Sequence, residues 1–213
     1  FRTNNAAGRN PVTLYPDDKN RRVMGVYISR DKVVVSSVTP RAVISCSNEF
    51  RLDHTYNSRS LMNGIVENIE YIFRTEGKER FMGIGVSCIG PVDTANGRLL
   101  SPPDFYGISN IEIKRILEKK TGLKVELDND MNASALAELL YGKGEGCSNF
   151  TYIGITHGIG AGIVLNGELY SGAHGLCGEI GHVSIDRNGP ECSCGNKGCL
   201  EVYASIPNFI AHA

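Results

Sequence analysis

Four residues near the end of the chain have the types and spacing of a complete metal shell. His182, Cys192, Cys194 and Cys199 fall within eighteen residues, at spacing H-x9-C-x-C-x4-C. Three thiolates and one imidazole satisfy a tetrahedral ion, the Cys3His set that structural zinc uses. Gly195 and Gly198 permit the short loop to turn so that its sulfurs converge. A shell closed by four protein ligands leaves no position for water, so the expected role is structural, not hydrolytic. The competing reading, a set of free buried thiols, is weaker on ligand spacing. Two acids flank the cluster. Glu179 lies three residues before His182 and Glu201 two after Cys199. A metal-folded loop would hold both carboxylates beside an imidazole, an arrangement suited to the hydroxyls of a sugar. A third carboxylate, Asp130, follows Asn129 at the start of an Ala/Leu-rich helix that ends near Gly142. Spacing alone reads Asp130 as the helix cap. The run His157-Gly158-Ile159-Gly160-Ala161-Gly162 could cradle phosphate on its backbone N–H groups. A lone G-x-G-x-G is weak evidence, and a tight hairpin accounts for it at least as well.

These residues need elements to position them. Val23–Ser29 and Lys32–Val38 are β-branched runs split by Arg30-Asp31 and read as a hairpin, with Ala42–Ser47 as a third strand. Leu61, Ile65, Ile69, Ile72 and Phe73 follow helical spacing. Phe81–Ser87 reads as a buried strand, and Asn96-Gly97 as a turn. Ser109-x-x-Glu112 has the pattern of a capping box opening a helix through Ile113, Ile116 and Leu117, which Gly122 ends. Leu123–Leu127 reads as a strand leading into Asn129. Thr151–Thr156 and Ile163–Leu165 flank the Gly-rich run, and Val202–Ala213 reads as one helix. Strands alternating with helices predict an α/β fold.

Composition narrows the function classes. A net charge of −1 over 213 residues, with no basic stripe, argues against this segment gripping nucleic acid by itself. No apolar run is long enough to span a bilayer, so no membrane role is expected. The seven cysteines are an odd count, and three of them sit at ligand spacing. A reducing cytoplasm therefore fits better than a disulfide framework. The first residue is Phe1 and not Met, which reads as a piece of something longer.

The run G-E-I-G-H at 178–182, followed by C-x-C-G-x-x-G-C-x-E at 192–201, closely resembles the signature of the ROK family of bacterial repressors and sugar kinases. Gly90-Pro91-Val92-Asp93 matches a further family segment. The resemblance implies an actin-like (ribonuclease H-like) fold of two α/β lobes with a sugar site in the cleft. One lobe is expected over 21–126. A second would cover 127–213, incomplete, with a C-terminal part beyond it. It implies sugar contacts by Asn129, Asp130, Glu179, His182 and Glu201, with His182 serving both metal and sugar. In family kinases the residue matching Asp130 is the general base. Gly8-Arg9-Asn10-Pro11 is similar to the junction at which ROK repressors join a winged helix-turn-helix to the sugar domain, so 1–20 is expected to be a linker.

Two departures bear on activity. Family kinases carry D-x-G-G-T in the first hairpin, to handle nucleotide phosphate and Mg2+. Here Tyr27, Ser29, Arg30 and Asp31 stand in those places. In the second phosphate loop, Thr156 and His157 replace a leading Gly-Thr. Three functions compete. The first is the effector domain of a sugar-responsive regulator, binding a monosaccharide or N-acetylhexosamine, reaching DNA through an absent N-terminal domain, and forming a homodimer. The second is a sugar kinase using ATP and Mg2+ with Asp130 as base. The third is a zinc-stabilised interaction module without a small ligand. The altered phosphate segments favour the regulator.

Overall fold

The computed structural model describes Asp17, residues 20–173 and residues 175–211. The expected linker, residues 1–20, thus lies outside the described residues apart from Asp17 and Asn20. The first layer is a five-stranded sheet of order β3-β2-β1-β4-β7. It comprises β1 (Arg22–Ile28), β2 (Lys32–Val38), β3 (Ile44–Arg51), β4 (Phe81–Cys88) and β7 (Val125–Asn129). β1, β2 and β3 form an antiparallel meander, while β4 and β7 run parallel to β1. A short two-stranded ribbon, β5 (Val92–Asp93) and β6 (Arg98–Leu99), closes on the Asn96-Gly97 turn between β4 and β7.

Burial follows the pattern that the sequence predicts. Met24, Val26 and Ile28 of β1 and Val33 and Val35 of β2 pack against Leu61, Ile65, Ile69 and Ile72 of α1 (Ser58–Glu76). Ile113 and Leu117 of α2 (Ile113–Thr121) join the same core, and Gly122 ends α2 at φ 72°. Two local expectations need correction. Ser109 and Glu112 form no capping box: Glu112 is itself the residue before α2, and no side chain caps the helix. The capping box instead opens α1, where the Asn57 side chain accepts from Ser60 N–H at 3.0 Å while Ser60 Oγ accepts from Asn57 N–H at 2.9 Å. β3 starts at Ile44 and runs to Arg51, because Ala42 takes a positive φ of 60° in the preceding turn.

The second sheet has order β10-β9-β8, from β8 (Phe150–Ile155), β9 (Ile159–Leu165) and β10 (Glu168–Leu169). α3 (Asp130–Tyr141) lies on it. The Gly-rich run is thus a hairpin: its turn spans 156–158 and the rest is strand β9. Gly160 and Gly162 are packing residues. A Cβ at Gly162 would lie 2.3 Å from the Met131 carbonyl oxygen, and Met131 covers Gly154 and Gly160. Absent side chains here let the first turns of α3 rest on the sheet, which fixes where Asn129 and Asp130 sit. β7 pairs with β4 through Asn129, and α3 begins at Asp130. The expected helix over Val202–Ala213 is two pieces, α4 (Leu200–Ala204) and α5 (Ile206–Ala211), parted by extended Ser205 at ψ 153°.

Candidate functional site

β7 delivers Asn129 to the end of the first sheet. Its side-chain oxygen accepts Asn132 N–H at 2.8 Å and caps α3. Asp130 is therefore the first helical residue and not the cap, and its Oδ1 accepts Met131 N–H at 3.0 Å. Carboxylates in a first turn also meet the positive end of the helix dipole.

Glu179 and His182 are placed by the backbone of β9. Ala161 N–H donates to Gly178 O at 2.8 Å. A Cβ on Gly178 would sit 2.0 Å from Ala161 O, and one on Gly181 2.2 Å from Ile159 O. Only glycine fits at either position, so the 178–181 segment lies flush on the strand. A 3-10 turn over Ile180–His182 then carries the imidazole to the cysteines.

The four candidate ligands do come together. His182 Nδ1 is 3.6 Å from Cys192 Sγ, and Cys194 Sγ is 3.7 Å from Cys199 Sγ. All four ligand atoms lie within 4.8 Å of one another. A tetrahedral ion with metal–sulfur bonds of about 2.3 Å and metal–nitrogen of about 2.0 Å sets edges of roughly 3.8 Å between sulfurs and 3.6 Å between sulfur and nitrogen. The two closest pairs have those edges and the rest lie within 4.8 Å, so the cluster could hold a metal ion. The Asn196 N–H lowers the Cys194 thiol below its ordinary value, whereas burial pushes Cys199 up to about 12. A divalent cation would hold both as thiolates.

Glu201, at the start of α4, does something that the sequence does not signal. Its Oε2 accepts Ile159 N–H at 2.9 Å, and Ile206 N–H donates to Thr156 O at 2.9 Å. The segment that follows the Cys/His loop is thereby tied to both sides of the β8–β9 turn.

Asn129, Asp130, Glu179, His182 and Glu201 all line one cavity of about 660 Å3. Tyr27, Ser29, Arg30 and Asp31 from the β1–β2 turn line it too, as do Thr156 and His157 from the β8–β9 turn. Arg30 does not stand free, because its guanidinium donates to the Pro103 carbonyl. Ser101, Pro103, Leu176 and Ser193 are wall residues that sequence reasoning missed. They sit in irregular segments with no periodicity to read. Burial raises the Asp130 carboxyl above its ordinary value and the Glu179 charge adds to this, while N–H donors and Arg30 oppose it. Burial likewise raises Glu179; His182 opposes and Glu201 adds. Burial and then the Asp130 charge raise the Tyr27 phenol.

These shifts yield a stability prediction. Asp130 holds its proton more tightly folded than unfolded. Its contribution to stability is therefore largest below the ordinary Asp range and is lost as pH rises through the raised value. Asp130→Asn removes that desolvated charge and keeps an oxygen for Met131 N–H. We expect the ligand-free variant to gain on the order of 1 kcal/mol at pH 7, about 2–4 °C in Tm. Thermal melts at pH 4 and pH 7 check this: the gain should be smaller at pH 4.

The same architecture recurs in known proteins. The ROK family sequence model matches residues 24–213. The chain belongs to the ROK family. It is 31% identical over 203 residues to the xylose repressor of Bacillus subtilis (strain 168), covering 94% of this chain and 52% of the repressor. It is 38% identical over 136 residues to the glucokinase of Thermotoga maritima, covering 64% of this chain and 43% of the kinase. A solved ROK family transcriptional regulator, a homolog of the Escherichia coli Mlc protein, superposes with a TM-score of 0.82 at 30% identity over 92% of this chain and 50% of its own. The ROK chain described here therefore spans about half the length of the repressors it matches, and its α/β fold is that of the family's actin-like sugar kinases.

Proposed function

We propose that this ROK chain is the sugar-binding part of a sugar-responsive transcriptional regulator, which reads DNA through a winged helix-turn-helix outside the segment. One observation carries the reading. The cavity wall that would face nucleotide phosphates in a kinase is built from Tyr27, Arg30 and His157, with Arg30 engaged by the Pro103 carbonyl. The repressor similarity over 94% of the chain supports it. Convergence of Asn129, Asp130, Glu179, His182 and Glu201 on one cavity supports a small-ligand role over a bare interaction module. The kinase reading draws on Asp130, kept in that cavity, and on the glucokinase match.

In this reading the sugar is a monosaccharide or N-acetylhexosamine held through its hydroxyls. The three carboxylates accept from hydroxyls, and Asn129 offers an amide. His182 turns Nδ1 to the sulfurs, which leaves Nε2 for a sugar oxygen. The ion that we assign to the cluster is zinc, which supplies structural charge and fixes the ring's orientation. The sugar would favour a closed cleft between the sheets and shift the population toward it. In a homodimer in the cytoplasm, that closure would alter the spacing of two DNA-reading helices against their half-sites.

Titration calorimetry on the full-length protein, across hexoses and N-acetylhexosamines, tests the reading. Glu179→Ala should weaken the best sugar by about 1–3 kcal/mol, roughly 5–150-fold, by leaving a hydroxyl unpaired in the cleft. Identical curves for the two proteins would defeat the assignment. Release of the promoter DNA of its own gene on addition of that sugar is the expected companion result.

A further inference from the structure

The β8–β9 turn already holds an anion, and the anion belongs to the protein. Backbone N–H groups in such a turn are anion donors. Here Ile159 N–H donates to Glu201 Oε2 at 2.9 Å, a charge-assisted bond. Thr156 N–H closes the turn onto Gly158 O at 2.8 Å, and Ile206 N–H takes Thr156 O from outside. Gly158 is the residue that admits the carboxylate. A Cβ built there would lie 2.5 Å from Glu201 Oε2, 3.4 Å from Cδ and 4.0 Å from Oε1. Among the described residues, its chain neighbours aside, Glu201 supplies the three nearest atoms to that position.

We propose that Gly158 is a positioning residue for sugar recognition: it docks Glu201 onto the Ile159 N–H, which fixes the carboxylate in the cavity and leaves Oε1 for a sugar hydroxyl. The inference rests on the sugar-binding reading above, but the docking has its own readout. It also gives the turn a different use from phosphate binding, since the Ile159 donor is occupied. An added methyl meets only the far end of a flexible side chain. Gly158→Ala should therefore move the carboxylate without unfolding the hairpin.

The test compares four full-length, metal-loaded proteins: native, Gly158→Ala, Glu201→Ala and the double variant. In 15N-isoleucine-labelled samples, the Ile159 amide should shift upfield and exchange faster in Gly158→Ala, as it does in Glu201→Ala. Sugar affinity should fall about tenfold in Gly158→Ala, with metal content and melting temperature unchanged. The two substitutions should not add, because both remove one contact. An Ile159 amide that stays put in Gly158→Ala, full additivity in the double variant, or loss of metal in Gly158→Ala would each overturn the proposal. If the native protein binds no sugar of the panel, the sugar reading fails, and the amide shift still decides the docking.

Discussion

Replacing Cys194 by Ser is expected to strip the metal from the full-length protein and abolish sugar binding in one step. Between His182 and Cys199 the loop has no helix or strand of its own, only isolated bridges such as Ser184 to Cys199 and Glu191 to Lys197. Its shape rests on turns, on a few backbone bonds such as Gly198 N–H to Pro190 O at 2.8 Å, and on the four ligands, which lie within 4.8 Å of one another. Structural zinc in small motifs contributes an apparent 10–16 kcal/mol, roughly as much as a whole domain has in reserve. Without it His182 loses its orientation. α4, which begins at Leu200 directly after Cys199, loses the anchor at its N-terminal end and keeps only its ties to the β8–β9 turn. Loss of the sugar contacts of His182 and Glu201, each worth about 1–3 kcal/mol, predicts at least a hundredfold fall in sugar affinity. Metal analysis of protein purified without added zinc should find about one zinc per native chain and almost none in Cys194→Ser. The core between α1 and the first sheet does not touch this loop, so far-UV circular dichroism should change little. A native protein free of zinc that still binds sugar at full affinity would end this account.

What could be read from the residues was whatever depends on local pattern. The helical spacing of Leu61, Ile65 and Ile69 places α1, because burial on one face repeats every 3.6 residues. The ligand spacing brings His182 to the cysteines, because a short loop with Gly195 and Gly198 at positive φ has few other ways to close. Long-range facts were silent. Nothing near Arg30 in sequence announces the Pro103 carbonyl, 73 residues away. Nothing near Gly158 announces Glu201, 43 positions further on (201 − 158). The Ser109/Glu112 pattern misled for a related reason. A capping box is a local preference, and the chain at Asn110 instead takes a positive φ of 54° while residue 111 bridges to Leu99. Tertiary pairing outweighed a cap worth about 1 kcal/mol. The Gly-rich run was ambiguous because two different constraints ask for the same residue. A phosphate needs backbone approach, and so does a helix laid on a strand. Gly160 and Gly162 answer to α3.

The full-length protein is expected to bind its sugar and yet show no efficient phosphoryl transfer from ATP. Asp130 is well placed for a base: it lines the cavity, and burial keeps its carboxyl above the ordinary range. A base contributes only when a phosphoryl group stands in line with the hydroxyl it deprotonates. That alignment depends on a metal and on donors around the phosphates. Tyr27 presents a phenol and no carboxylate on the same wall, and burial and then the Asp130 charge raise that phenol further from giving Mg2+ a charged oxygen. Arg30 places a long side chain where the kinases carry glycine, and the Pro103 carbonyl holds it. In the second turn His157 stands in place of a hydroxyl residue, and the Ile159 N–H is given to Glu201. On these two turns the Arg30 guanidinium and the Ile159 N–H, two donors within reach of a phosphate, are already engaged. A coupled ATP assay, run on the sugars that calorimetry identifies, should stay far below the 1–100 s⁻¹ typical of kinases. Turnover within that range would overturn the regulator reading. The substitution that separates the causes is Glu201→Gln in the same assay. It weakens the internal anion but leaves Tyr27 and Arg30 in place, so activity should remain absent. If it appears, the Glu201 carboxylate and not the first hairpin is what bars the phosphate.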